Sequence, residues 1–136
     1  MPNRRVFLVD DSARERQEVS DDIHTFCGED VEIVTEGEVG MAIIAFRRLM
    51  AEGIGLDAAI LDYQLEDRMT SKPLYRQMLA LAPEFASQRV ALRTSLGEEE
   101  VRGMFAEDGL PFPPKYLSKG HLRDMLEWLK SLPPVK

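Results

Sequence analysis

The sequence predicts a doubly wound α/β domain, a parallel sheet with helices packed on both faces. Two observations carry this reading. Short apolar runs alternate with longer stretches of helical periodicity along the 136-residue chain, which is the pattern of a parallel sheet with right-handed crossovers. The run Val6 to Val9 is also continuously apolar rather than alternating, as expected of a strand buried on both faces.

Val6-Phe7-Leu8-Val9 is the first such run. A helix is predicted from about Ala13 to Cys27, with Val19, Ile23, Phe26 and Cys27 on one face and Ser12 as its N-cap. Val31 to Thr35 reads as the second strand. A helix from about Val39 to Ala51 follows, striped by Val39, Ile43, Phe46 and Met50, and Gly53 and Gly55 end it. Ala58-Ala59-Ile60-Leu61 is the third strand and closes on Asp62.

The next helix spans about Lys72 to Leu81, with Ser71 as candidate N-cap and Pro73 in the first turn, where proline is tolerated. Val90-Ala91-Leu92 is the fourth strand and ends near Thr94. Glu98-Glu99-Glu100 then sets negative charge at the positive end of a helix dipole. A loop through Pro111-Phe112-Pro113-Pro114 leads to the short strand Tyr116-Leu117. The last helix carries Leu122, Met125, Leu126 and Leu129 on one face, and the tail Pro133-Pro134-Val135-Lys136 reads as a stop.

The length suits one domain over 1–136, leaving no room for a separate output domain. A net charge of −7 argues against nucleic acid, whose phosphates call for a basic footprint. Cys27 is the only cysteine, so no intrachain disulfide is expected. No apolar stretch reaches membrane-spanning length and no signal-peptide core opens the chain. The expectation is a cytoplasmic protein without a membrane partner.

The chemistry concentrates where the strands end. The first run is followed by Asp10-Asp11, the third by Asp62, the fourth by Thr94-Ser95 and the fifth by Lys119. In doubly wound sheets the ligand site lies at these carboxyl ends. Three carboxylates gathered there repel one another, and a hard divalent cation with oxygen ligands relieves that repulsion. A metal and a lysine beside a carboxylate equip it to receive a phosphoryl group, a reaction governed by positioning and by neutralising the equatorial oxygens. Thr94 has a hydroxyl to donate to one of those oxygens.

Val9-Asp10-Asp11-Ser12, Ile60-Leu61-Asp62-Tyr63, Leu92-Arg93-Thr94-Ser95 and Tyr116-Leu117-Ser118-Lys119 together resemble the response-regulator receiver domains of two-component signalling. The resemblance runs over nearly the whole chain. It implies a flavodoxin-like, five-stranded sheet in the order 2-1-3-4-5. It also implies phosphotransfer from a histidine kinase or histidine phosphotransfer protein onto Asp62, with Mg2+ or Mn2+ as cofactor. Asp11 and Asp62 would ligate the metal directly, Asp10 mostly through water, and Gln64 through its backbone carbonyl. Thr94 and Lys119 would act on the phosphoryl group. Thr94 and Tyr116 would form the switch that reshapes the last helix-strand-helix face for an unknown output protein. Such a domain is a signalling phosphoacceptor, not an enzyme beyond its own metal-dependent phosphorylation and dephosphorylation.

The chain departs from the family in two places. Glu66 and Thr70 stand where a proline and a glycine are usual after the acceptor, and Asp67 and Arg68 add charge. Gly120 stands where a proline commonly forms a cis bond with the lysine, which leaves the Lys119–Gly120 bond open between cis and trans. Arg93 reads as a strand-end side chain snorkelling to solvent. His24 and His121 read as helix-surface residues, and Trp128 as core or interface packing. The competing function is a pseudo-receiver, a phosphorylation-independent interaction module. A flavin protein of this architecture would want a phosphate-cradling loop where Asp10-Asp11-Ser12 stands. An aspartyl-phosphate hydrolase would use the first strand's aspartate and a longer chain.

Overall fold

The structure, a computed structural model, describes residues 4–135; Lys136, the last residue of the predicted stop, lies outside them. Five strands, β1 (Arg5–Val9), β2 (Glu32–Glu36), β3 (Ala58–Asp62), β4 (Val90–Thr94) and β5 (Lys115–Ser118), alternate with helices α1 (Ala13–Cys27), α2 (Val39–Ala51), α3 (Lys72–Leu81), α4 (Pro83–Gln88), α5 (Glu98–Glu107) and α6 (Leu122–Ser131). The strands form one parallel sheet in the order β2-β1-β3-β4-β5. That is the order the sequence led us to expect.

The sheet separates two cores. Phe7 and Val9 of β1 and Ala59 and Leu61 of β3 point to one face, against Phe46, Leu74, Tyr75, Met78 and Phe105 of α2, α3 and α5. Val6, Leu8, Ala58 and Ile60 point to the other, against Val19 and Ile23 of α1 and Met125, Leu126 and Leu129 of α6. Alternate residues of β1 and of β3 therefore enter opposite cores, which explains why Val6 to Val9 and Ala58 to Leu61 had to be apolar throughout. The predicted face of α1 is narrower than expected, because Phe26 is 53% exposed.

The stretch between β3 and β4 holds more structure than the single helix read from the sequence. Pro83 ends α3 and opens a second short helix, α4. A proline cannot continue the preceding helix's hydrogen bonds and pushes the residue before it out of the helical region. Ala82 accordingly sits at φ −146°, ψ 69°. Tyr75 in α3 donates its hydroxyl to the carbonyl of Ala86 in α4, 2.9 Å away, so the added helix is tied down inside the core. Ser71 holds the N-cap position of α3, but its side chain caps nothing; Thr70 Oγ1 accepts from the Lys72 amide instead, at 3.3 Å.

The loop after β3 closes as a tight hairpin. Leu65 N–H donates to the Met69 carbonyl (2.8 Å), Met69 N–H donates to the Glu66 carbonyl (3.1 Å), and Gln64 bridges antiparallel to Thr70. Its two central residues, Asp67 and Arg68, have φ of 58° and 61°. This left-handed pair is normally built from Asn-Gly, and a long side chain at the second position is strained.

Candidate functional site

The carboxyl edge of the sheet gathers the predicted residues. Asp10 follows β1 and is anchored there by its amide, which donates to the Glu36 carbonyl at the end of β2 (3.0 Å). Its Oδ1 accepts from the Ser12 amide at 2.9 Å, while Ser12 Oγ caps α1 by accepting from the Glu15 amide at 3.2 Å. Asp11 is half-buried and Asp62, at the end of β3, is buried. Asp10, Asp11 and Asp62 each offer a carboxylate oxygen within 4.8 Å of the others.

Lys119 reaches this cluster from the loop after β5. Its Nζ lies 3.2 Å from Asp62 Oδ2 and 3.2 Å from Glu15 Oε2. The Lys119 amide donates to the Thr94 carbonyl at 3.0 Å, which pins the lysine's backbone to the end of β4. The Lys119–Gly120 bond is trans, since the described residues contain no cis peptide. Gly120 turns the chain with φ 92°, a left-handed conformation open to glycine, and α6 begins at Leu122. The glycine lets the chain turn there while Lys119 stays 3.2 Å from Asp62.

Thr94 is buried at the end of β4, its Oγ1 accepting from the Leu96 amide at 3.1 Å. Tyr116 donates its hydroxyl to the Leu96 carbonyl, so both residues expected to switch hold the same turn after β4. Gln64 lies two residues beyond Asp62 at the mouth of the strained hairpin. His24 is more than a surface residue: its Nε2 hydrogen-bonds the Val31 carbonyl at 2.8 Å and fastens the end of α1 to the approach to β2.

Two residues, Arg93 and Glu15, stand in the site in ways their sequence pattern does not show. Arg93 does not snorkel to solvent. Its Nη1 lies 3.4 Å from Asp10 Oδ2, and the side chain is only 17% exposed. Residue 93 points to the opposite face from Leu92, and near the end of β4 that face opens onto Asp10. Glu15 gives only the spacing Ser12-x-x-Glu15 of a capping box in the sequence. In the structure its carboxylate turns to Lys119 instead of back to Ser12.

Burial sets the electrostatics. It pushes the Asp10 carboxyl up to about 6, a shift the neighbouring carboxylates of Asp62 and Glu15 reinforce and the Ser12 amide and Lys119 oppose. Burial raises Asp62 as well, against the pull of Lys119. For Glu15, partial burial is outweighed by its bond to Lys119, and its carboxyl is held below the ordinary range. For Lys119, burial is outweighed by Asp62 and Glu15, and the ammonium is held above its ordinary range. Four carboxylates, Asp10, Asp11, Glu15 and Asp62, thus face two cations, Lys119 and Arg93. This negative excess of clustered oxygen donors, without histidine or cysteine, fits a small hard divalent ion such as Mg2+.

No family model and no curated protein sequence matches the chain. Solved structures do. A two-component response regulator from Cytophaga hutchinsonii superposes with a TM-score of 0.72 at 20% identity, covering 96% of this chain and 96% of that one. The chemotaxis protein CheY4 of Vibrio cholerae gives 0.69 at 20% identity, covering 96% and 98%. A CheY-like response-regulator receiver domain protein from Methanospirillum hungatei gives 0.67 at 20% identity, covering 93% and 90%. This chain has the receiver-domain fold. Within that fold the acidic cluster and Lys119 occupy the carboxyl edge of the sheet, where open α/β sheets bind their ligands. Among the described residues no helix is long and apolar enough to cross a membrane.

Proposed function

We propose that the chain is a phosphoacceptor receiver of a two-component phosphorelay and that Asp62 takes the phosphoryl group. The observation that carries this reading is the meeting of three aspartates within 4.8 Å with a lysine ammonium 3.2 Å from Asp62. Asp10, Asp11, Asp62 and the carbonyl of Gln64 would hold Mg2+ or Mn2+. The ion, when bound, supplies positive charge for the phosphoryl oxygens and relieves repulsion among the carboxylates.

The chain's own residues do the rest. A carboxylate oxygen of Asp62 forms a bond to phosphorus as the phosphorus–nitrogen bond of a phosphohistidine breaks, and the freed imidazole takes up a proton. Lys119 stays charged beside Asp62 and pairs with the incoming oxygens. Thr94 exchanges its contact with the Leu96 amide for a hydroxyl bond to a phosphoryl oxygen. That exchange loosens the turn that Tyr116 also holds, and so carries the change toward α5, β5 and α6, the face offered to an output protein. The donor would be a histidine kinase or histidine phosphotransfer protein, and the acidic surface disfavours nucleic acid. We place the protein in the cytoplasm, as a domain spanning 1–136.

The test is incubation with acetyl phosphate, with and without Mg2+, read by intact mass beside Asp62→Asn. The expected result is a metal-dependent gain of one phosphoryl group, lost on hydroxylamine treatment and absent from Asp62→Asn. A folded protein that gains nothing under any condition would replace this reading with a phosphorylation-independent interaction module.

A further inference from the structure

Arg93 has two neighbourhoods. On one side its Nη1 stands 3.4 Å from Asp10 Oδ2, beyond the 2.7–3.2 Å typical of a good N–H···O bond. On the other it lines a cavity of about 110 Å3 together with Glu18, Asp22, Ser118 and His121, between α1 and the start of α6. Asp22 is half-buried in that wall and makes no hydrogen bond or ion pair among the described residues. Glu18 is exposed and pairs with Arg14 at 3.5 Å. A guanidinium thus sits loosely on one carboxylate of the acidic cluster, beside a cavity that holds a second carboxylate with no partner.

We infer that Arg93 is the resident counter-cation of the acidic cluster, and that a divalent ion taking Asp10 releases it into the neighbouring cavity to pair with Asp22. The inference rests on the metal reading above. A guanidinium and a divalent ion both neutralise Asp10, and the two positive charges repel, so one leaves as the other binds. An arginine that leaves a buried carboxylate needs a new partner, since an unpaired buried charge is costly. Asp22 supplies that partner without unfolding any element, because the side chain already lines the cavity. The cavity wall includes Gly120, His121, Leu122 and Met125, so the released guanidinium would sit against the base of α6.

The experiment is a Mn2+ binding titration, with free ion followed by electron paramagnetic resonance, on the wild type, Arg93→Gln, Asp22→Asn and the double variant. Circular dichroism checks that each is folded. Loss of the competing cation should tighten binding in Arg93→Gln by about tenfold, or ~1.4 kcal/mol. Asp22→Asn, on the cavity wall of α1, should weaken binding several-fold in the wild-type background and leave it unchanged in the Arg93→Gln background. Equal affinity in wild type and Arg93→Gln would overturn the counter-cation role. An Asp22→Asn effect of the same size in both backgrounds would overturn the release, since it would then be a field effect alone. Absence of Mn2+ binding in every variant would overturn the metal reading, and the inference with it.

Discussion

Strand β3 is bounded by two buried aspartates with opposite surroundings. Asp57, just before the strand, accepts from the Arg5 amide at 2.8 Å through Oδ2, and its backbone carbonyl accepts from Arg89 Nη1 at 3.1 Å. Its partners are a backbone amide and a neighbouring strand, so it serves as a brace between β1 and β3. Asp62, at the other end, is surrounded by Asp10, Asp11, Glu15 and Lys119. Burial is common to both. Only at Asp62 do the surrounding groups carry a charge that a ligand can rebalance, and that difference separates a structural carboxylate from a chemical one.

The largest effect that would break this comparison is on phosphoryl uptake. Asp62→Asn should lose it entirely, while Asp57→Asn should take up phosphate at the wild-type level in the same mass assay. Uptake lost in both would mean that the brace, not the charge cluster, governs the site.

Stability against pH separates the two ends next. Asp10 has its carboxyl raised from 3.8 to about 6. Between those values the folded metal-free protein holds a proton the unfolded chain has released. That contribution is fully present below 3.8 and is lost as pH rises through about 6. Chemical denaturation in EDTA should therefore show about 1–3 kcal/mol less stability at pH 7 than at pH 4.5. Asp10→Asn should flatten the slope, as should saturating Mg2+. A slope that survives in Asp10→Asn would assign the proton elsewhere.

Asp57→Ala should cost about 1–3 kcal/mol, because the Arg5 amide would be left without its side-chain acceptor. Metal affinity should not change. Urea denaturation and a parallel Mg2+ titration check the pair of outcomes. The smallest effect lies in the strained hairpin that follows Asp62. Arg68→Gly should stabilise by about 0.5–1 kcal/mol by relieving its positive φ. Thermal melts should show this as a rise of a few degrees.

The alternation of elements was legible in the sequence because both faces of the sheet are covered. The central strands β1 and β3 then had to be apolar through their buried lengths, and Val6 to Val9 and Ala58 to Leu61 are. The acidic edge was legible because its residues follow strand ends directly. The extra helix α4 was less visible: Pro83 marks a break, but whether the chain resumes as helix depends on the Tyr75–Ala86 contact across the core. Arg93 and Glu15 show a sharper limit. Their types and positions suit a solvated strand end and a helix first turn, and only the approach of distant strands turns them onto Asp10 and Lys119. Asp57 gave no signal at all, since its partner is a backbone amide, and backbone amides look alike in every sequence.

Arg4 spans the gap between the first strand and the last helix, donating to the carbonyls of Leu129 at 2.8 Å and Leu132 at 2.9 Å. Both ends of the described chain therefore leave the molecule at one pole, and that pole is the one remote from Asp62. A tag, a surface tether or a fused fluorescent protein attached at either end would hang away from the acidic edge. A short linker joining the two ends should likewise let the chain be reopened at a distant loop without separating the groups around Lys119.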